Sequence, residues 1–278
     1  MKERIQIALL AFGLAAAAVA APISEISVDL RLDEIDYVSG ERIRGVVDIK
    51  NMSPDSISVG RPASKDRLFV EVFRSSDMLQ LERAREAPFV APFRLDMNEG
   101  QKLEVFLADH YALREARRYM ARPVLVHGST RYEGQYRAFD VVPGIHVANA
   151  LQMFSNKTGL SREFELVHWT RKGREHLFLS ARDAGSGSRR WATTDVGAMM
   201  KLTKPTISIL SGGEVVVLHR SGPDSFIRSE FWSLPDALEF RTRELVRDPE
   251  TAGQSRVQEM YNKAGGVKAA PRPWWKFW

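Results

Sequence analysis

Apolar and polar residues alternate with a period of two along much of this chain. Ile26, Val28, Leu30 and Leu32 are separated by Ser27, Asp29 and Arg31, which sets the apolar side chains on one face of a strand. Ser39-Gly40-Glu41 reads as a turn, and Ile43 to Ile49 as the next strand, closed by Asn51-Met52-Ser53-Pro54. Leu68 to Phe73, Phe93 to Leu95, Leu103 to Leu107, Pro123 to His127 and Tyr136 to Val142 continue the pattern, divided by Gly, Pro, Asn and Asp. Short strands at this spacing predict an antiparallel β-sandwich over residues 23–145. Tyr111 to Ala121 breaks the alternation. Its Ala, Leu, Arg and Glu content predicts a short helical crossover, on which Arg114, Arg117 and Arg118 would cluster, either as a solvated face or as a patch for an anionic ligand.

Residues 146–160 read as a connection, with one helical turn allowed. Beyond it, a strand, tight turn, strand, loop and aromatic residue recur across 161–247. Phe164 to Trp169, Lys172-Gly173, His176 to Ser180 and Trp191 are followed by Ile207 to Leu210, Gly212-Gly213, Val215 to His219 and Trp232. A repeat of about forty residues with this content is what a propeller blade looks like. Two units cannot close a ring, which normally takes at least about four blades. Three outcomes stay open: one twisted sheet or small sandwich, which is preferred, a ring completed by oligomerisation, or open edges that pair with another protein. The fold class expected for the whole chain is therefore all-β. An immunoglobulin-like sandwich is followed by an antiparallel β-repeat region, a short C-terminal helix and an aromatic tail.

Two resemblances add to this reading. Tyr37-Val38-Ser39-Gly40-Glu41, leading into a strand that ends on Asn51, resembles the opening hairpin of macroglobulin-type and related bacterial immunoglobulin-like domains. In that family a tyrosine closes a corner near the last hairpin, a part that falls to Tyr119. Ser180-Ala181-Arg182-Asp183-Ala184-Gly185, with Trp191 beyond it, resembles the Asp-box of sialidase-type propellers. That motif turns a hairpin by bonding a carboxylate to loop amides. Here the Ser-to-Asp spacing is one residue longer than in the family and the tryptophan comes later. The resemblance implies a structural loop, with Trp169, Trp191 and Trp232 as candidates for stacking on sugar.

The two ends carry different signals. Lys2 and Arg4 precede an apolar run from Ile5 to Val19, and Ala18-Val19-Ala20 supplies small residues. This three-part layout predicts a signal peptide over residues 1–20, cleaved after Ala20, with an uncleaved anchor as the alternative. At the other end, Ser255 and Gln258 form a capping box for a short helix, Arg256 to Lys263, that Gly265-Gly266 would stop. A basic, proline-broken spacer then leads to Trp274-Trp275-Lys276-Phe277-Trp278, within residues 248–278. These five residues would pack on the chain's own sheets, lie in a membrane interface, or contact a partner in the envelope.

Composition narrows the function. Cysteine is absent, which removes disulfides, thiolate metal sites, a thiol nucleophile and lipid attachment through cysteine. A formal net charge of +5, from 40 basic and 35 acidic residues, comes without a lysine-rich block, so nucleic acid is not an expected partner. None of the six histidines sits in a ligand spacing such as H-x-x-x-H, and no nucleophile elbow or phosphate-cradling glycine loop occurs. No cofactor, metal or catalytic set is expected. The sequence points to an exported, non-catalytic protein of the bacterial envelope, periplasmic or on the cell surface, that binds, scaffolds or assists. A glycan-binding or glycan-active module is the rival.

Overall fold

The computed structural model describes residues 25–61, 64–154, 159–184 and 189–247. The expected signal segment 1–20, the capping-box helix and the Trp274–Trp278 tail lie outside the described residues. Within them the chain is nearly all β, and the one helical element is a single 3-10 turn, Leu107–Asp109.

The first unit is a sandwich. One sheet joins β1 (Ile26–Leu32), β3 (Arg44–Asn51) and β7 (Gly100–Phe106), all antiparallel, in the order β1-β3-β7. The other contains β2 (Asp36–Val38), β5 (Arg67–Arg74), β8 (Arg117–His127) and β10 (Arg137–Val142), in the order β2-β10-β8-β5. A further strand, β9 (Thr130–Glu133), lies beside β8, and β4 (Ile57–Val59) pairs with β6 (Phe93–Leu95). The pairing of β2 with β10 is parallel, which a purely antiparallel expectation did not include. Inward residues of both sheets, among them Ile26, Leu30, Val47, Val70, Tyr119 and Phe139, form one core.

Local devices hold this unit in shape. Asn51 ends β3 fully buried. Its side-chain amide donates to the carbonyls of Asp55 at 2.8 Å and Leu95 at 3.3 Å, while its Oδ1 accepts from Ser53 Oγ at 2.6 Å. An asparagine at the strand's end thus satisfies main-chain groups that no ladder reaches. Tyr119 donates its hydroxyl to Glu115 O at 3.2 Å, and Tyr111 donates to Val70 O at 2.5 Å.

No helical crossover forms over Tyr111 to Ala121. Residues 112–116 are irregular and Arg117 already belongs to β8. Helix propensity is a weak prior there, because Tyr119, Ala121 and Leu125 lie on one face of β8 and bury against the core. The expected arginine cluster also separates. Arg117 pairs with Glu115, Arg118 with Asp140 at 2.7 Å, and Arg114 has no ion pair among the described residues.

The second unit consists of two four-stranded antiparallel meanders. The first runs β11 (Ile145–Met153), β12 (Ser161–Arg171), β13 (Arg174–Ala184), β14 (Thr194–Ala198), and the second β15 (Thr206–Ile209), β16 (Glu214–Gly222), β17 (Ser225–Leu234), β18 (Ala237–Val246). Phe164, Leu166, Leu177 and Leu179 of the first sheet share a core with Val215, Val217 and Phe231 of the second.

The stretch expected as a connection, 146–160, is therefore mostly strand β11. Its apolar residues Ile145, Leu151 and Met153 point outward, and a register shift falls between His146 and Ala148. No inward alternation marked it. The two repeat units are also offset from one another. Leu177-Phe178-Leu179 sits on the third strand of its sheet and Val216-Val217-Leu218 on the second strand of the other. Trp191 lies before β14, whereas Trp232 lies within β17, so they are not structural counterparts.

Candidate functional site

The turn 38–41 does two jobs. Within the first unit, Glu41 Oε2 accepts from the Val38 amide at 2.5 Å, and Gly40 takes φ 90°, a conformation that glycine tolerates best. Across the units, Thr193 donates its amide to Gly40 O at 2.9 Å and its hydroxyl to Ser39 O at 2.8 Å. A Cβ on Gly40 would stand 2.7 Å from Thr193 Oγ1, so only glycine admits this approach.

Beside the turn, Arg171 at the end of β12 reaches Glu41 at 2.6 Å and Asp36 O at 3.2 Å, and Lys172 reaches Glu34 at 2.8 Å. Val38, Val167 and Phe178 form a small apolar cluster at this junction, with Val142 and Trp169 packed on it. Burial raises the Glu41 carboxyl above its usual range, opposed by the hydrogen bonds from Arg171 and Val38. Hydrogen bonds, ion pairs and apolar contacts together fix the two units to each other.

Next to this junction lies a cleft of about 1050 Å³. One wall comes from residues 38–42, 84–85, 108–109 and 111–114 of the first unit. The floor is the outer face of β11, β12 and β13, with Trp191 and Arg190 at one side. Asn149, Glu165 and Ser180 stand in one row across three neighbouring strands, because Asn149 registers with Glu165 and Glu165 with Ser180. Some of the cleft's charges are spent locally, Arg42 on Asp109 at 2.6 Å and Arg182 on Glu163 at 2.6 Å. Others are not. Arg85, Arg114, Arg190 and Glu165 line the cleft without an ion pair among the described residues.

The sugar-stacking candidates do not come together. Trp169 packs at the junction, and Trp232 sits on the outward face of β17 at 41% exposure with the Arg241 guanidinium 4.6 Å from its ring centroid. Trp191 alone lines the cleft. The guanidinium groups of Arg162 and Arg189 lie 4.4 Å and 3.8 Å from the centroid of its ring system. The Asp183 carboxylate of the Asp-box-like stretch accepts from Arg162 Nε at 2.5 Å and Trp191 Nε1 at 3.1 Å. It joins side chains across the unit, and the loop 185–188 that the resemblance concerns lies outside the described residues.

His168 and His176 fall on opposite faces of their hairpin, since His168 registers with Leu177 and Trp169 with His176. Each has its own carboxylate, Glu175 for His168 at 2.8 Å and Asp195 for His176 at 2.9 Å. His219 is buried, with Nε2 3.1 Å from Ala198 O and Nδ1 without a partner among the described residues. This places the proton on Nε2 of a neutral ring.

Burial pulls the His219 pKa from 6.5 down to about 4, opposed by the bond to Ala198. The sign follows from linkage: the unfolded chain takes up a proton that the folded chain refuses. Stability from this residue is complete above about pH 6.5 and falls towards pH 4, by up to about 1.4 kcal/mol per pH unit. Urea unfolding midpoints measured through that window should drop more steeply for the native protein than for His219→Gln. Equal slopes would refute the assignment.

No protein-family model matches the chain, and no curated protein matches it.

Proposed function

We propose that this chain is an exported, non-catalytic binding or accessory protein of the bacterial envelope, which offers the cleft between its two β units to a partner. The observation that carries this reading is the cleft itself. Both units line it, their junction is fixed by Arg171, Glu41 and Thr193, and several of its polar groups have no side-chain partner among the described residues. Concave sites with a few convergent polar groups are where ligands bind. The signal-like residues 1–20 support export, and the alternating sandwich pattern supports an interaction module of immunoglobulin-like type. A glycan-binding module remains the second reading, favoured by Trp191 at the cleft and opposed by the guanidinium groups against that ring.

A photo-crosslinking residue at Asn149 in the cleft, compared with one at Arg31 on β1, tests the proposal in living cells. The Asn149 position should give discrete crosslinked species in the envelope fraction, and the Arg31 position should not. Identical patterns from both positions would remove the cleft as the binding site.

A further inference from the structure

We infer that the cleft receives an acidic peptide segment of a partner protein, laid across β11–β13. This rests on the reading of the cleft as the binding site and names what would fill it. Three guanidinium groups, Arg85 and Arg114 on one wall and Arg190 on the other, have no carboxylate within the described residues. Among the described residues they face one unpaired acid, Glu165, so the unspent charge of the cleft there is positive. An anionic partner is drawn to such a site and is oriented by it.

The floor favours a peptide. Neighbouring strands stand about 4.8 Å apart, so the row Asn149–Glu165–Ser180 spans about 10 Å, close to three extended residues at about 3.3 Å each. None of these three side chains has a hydrogen-bond partner among the described residues. An amide, a carboxylate and a hydroxyl together accept from and donate to a peptide main chain. Glu165 takes a main-chain N–H, while acidic side chains of the same segment reach the arginines on the walls. A stacked sugar would instead need a free aromatic face, and Trp191 already carries Arg189 at 3.8 Å and Arg162 at 4.4 Å.

Fluorescence anisotropy with the full-length mature protein and a labelled glutamate-rich decapeptide provides the test. A lysine-rich decapeptide and an acidic oligosaccharide serve as comparison ligands. The glutamate peptide should bind best, and Arg114→Glu with Arg190→Glu should weaken it by about tenfold or more. Arg31→Glu with Arg67→Glu makes the same charge change outside the cleft and should leave binding within about twofold. Glu165→Gln removes the opposing charge but keeps an acceptor, and should hold or raise affinity. Circular dichroism of each variant separates lost binding from lost folding.

Equal weakening by both arginine pairs would mean non-specific attraction and would overturn both the peptide assignment and the cleft. Preferred binding of the acidic oligosaccharide, lost with Arg114 and Arg190, would overturn the peptide and leave the cleft standing. A failure of the glutamate peptide to bind would overturn the peptide alone, since crosslinking from Asn149 reports on the cleft independently.

Discussion

Replacing Arg162 with methionine is expected to lower the unfolding free energy by about 3 to 5 kcal/mol, the scale seen when one partner of a buried ion pair is removed. The Arg162 side chain is fully buried. From β12 it donates to Asp183 Oδ1 at 2.5 Å, and across to the other sheet it donates to Ser233 Oγ at 2.8 Å and to the carbonyls of Leu234 and Ala237 at 3.0 Å. One guanidinium therefore closes the β17–β18 turn onto the first meander and neutralises the Asp183 carboxylate. Methionine fills similar volume but leaves that carboxylate with only Trp191 as partner among the described residues, and takes the Arg162 donors from the turn carbonyls. The double change Arg162→Met with Asp183→Leu should recover part of the loss, since removing both charges spares the desolvation cost of one alone. Denaturant unfolding reads both effects. A single-variant loss below about 1 kcal/mol would show that the side chain is not the staple described.

The second large effect belongs to Arg171. Arg171→Met is expected to cost about 3 kcal/mol near neutral pH, because Glu41 would then be buried without its cation. The test lies in the pH dependence. Burial already raises the Glu41 carboxyl, so the folded state favours the protonated acid. In the variant that preference grows. Relative to the native protein, stability should return as pH falls from neutral towards the ordinary carboxylate range, where the folded acid takes up its proton before the unfolded one does, and the recovery should be complete below that range. Glu41→Gln on the Arg171→Met background should flatten this slope. Proteolysis between the units, near Pro143-Gly144, should accelerate in Arg171→Met at neutral pH. Unchanged cleavage would argue that Thr193, the Lys172–Glu34 pair and the apolar cluster hold the junction without Arg171.

Much of the fold was legible because burial in a sheet has a period of two. Ile26–Leu32 is β1 residue for residue, and Leu68 to Phe73 and Val215 to His219 lie within β5 and β16. The same periodicity held a signal for Arg162 that sequence reasoning missed. It stands two residues before Phe164 and four before Leu166, on the inward face, where a charge must have partners. Strand β11 was hidden for the opposite reason, since its larger apolar residues face outward. The helix expected over residues 111–121 does not form because tertiary packing overrides local propensity there.

Glu41 was recognised as part of a turn, but its partner Arg171 is 130 positions away, and no local pattern links them. The cleft was invisible for the same reason. Its walls and floor come from segments far apart in the sequence that only the folded chain brings together. Of the arginines set apart by composition, Arg114 alone reaches it, and only the structure separates that residue from Arg117 and Arg118.

On the proposed reading of the cleft as a binding site, the junction at Gly40 and Thr193 also bears on how fast and how selectively it would fill. Two walls fixed before a ligand arrives need no hinge motion to enclose it, so little ordering entropy is lost by the protein on association. Capture should then be a single-step process whose rate depends on ionic strength rather than on a conformational change. Selection would act by rejecting segments that do not match a preset spacing, and a partner that binds weakly would leave quickly without trapping the protein in a closed form.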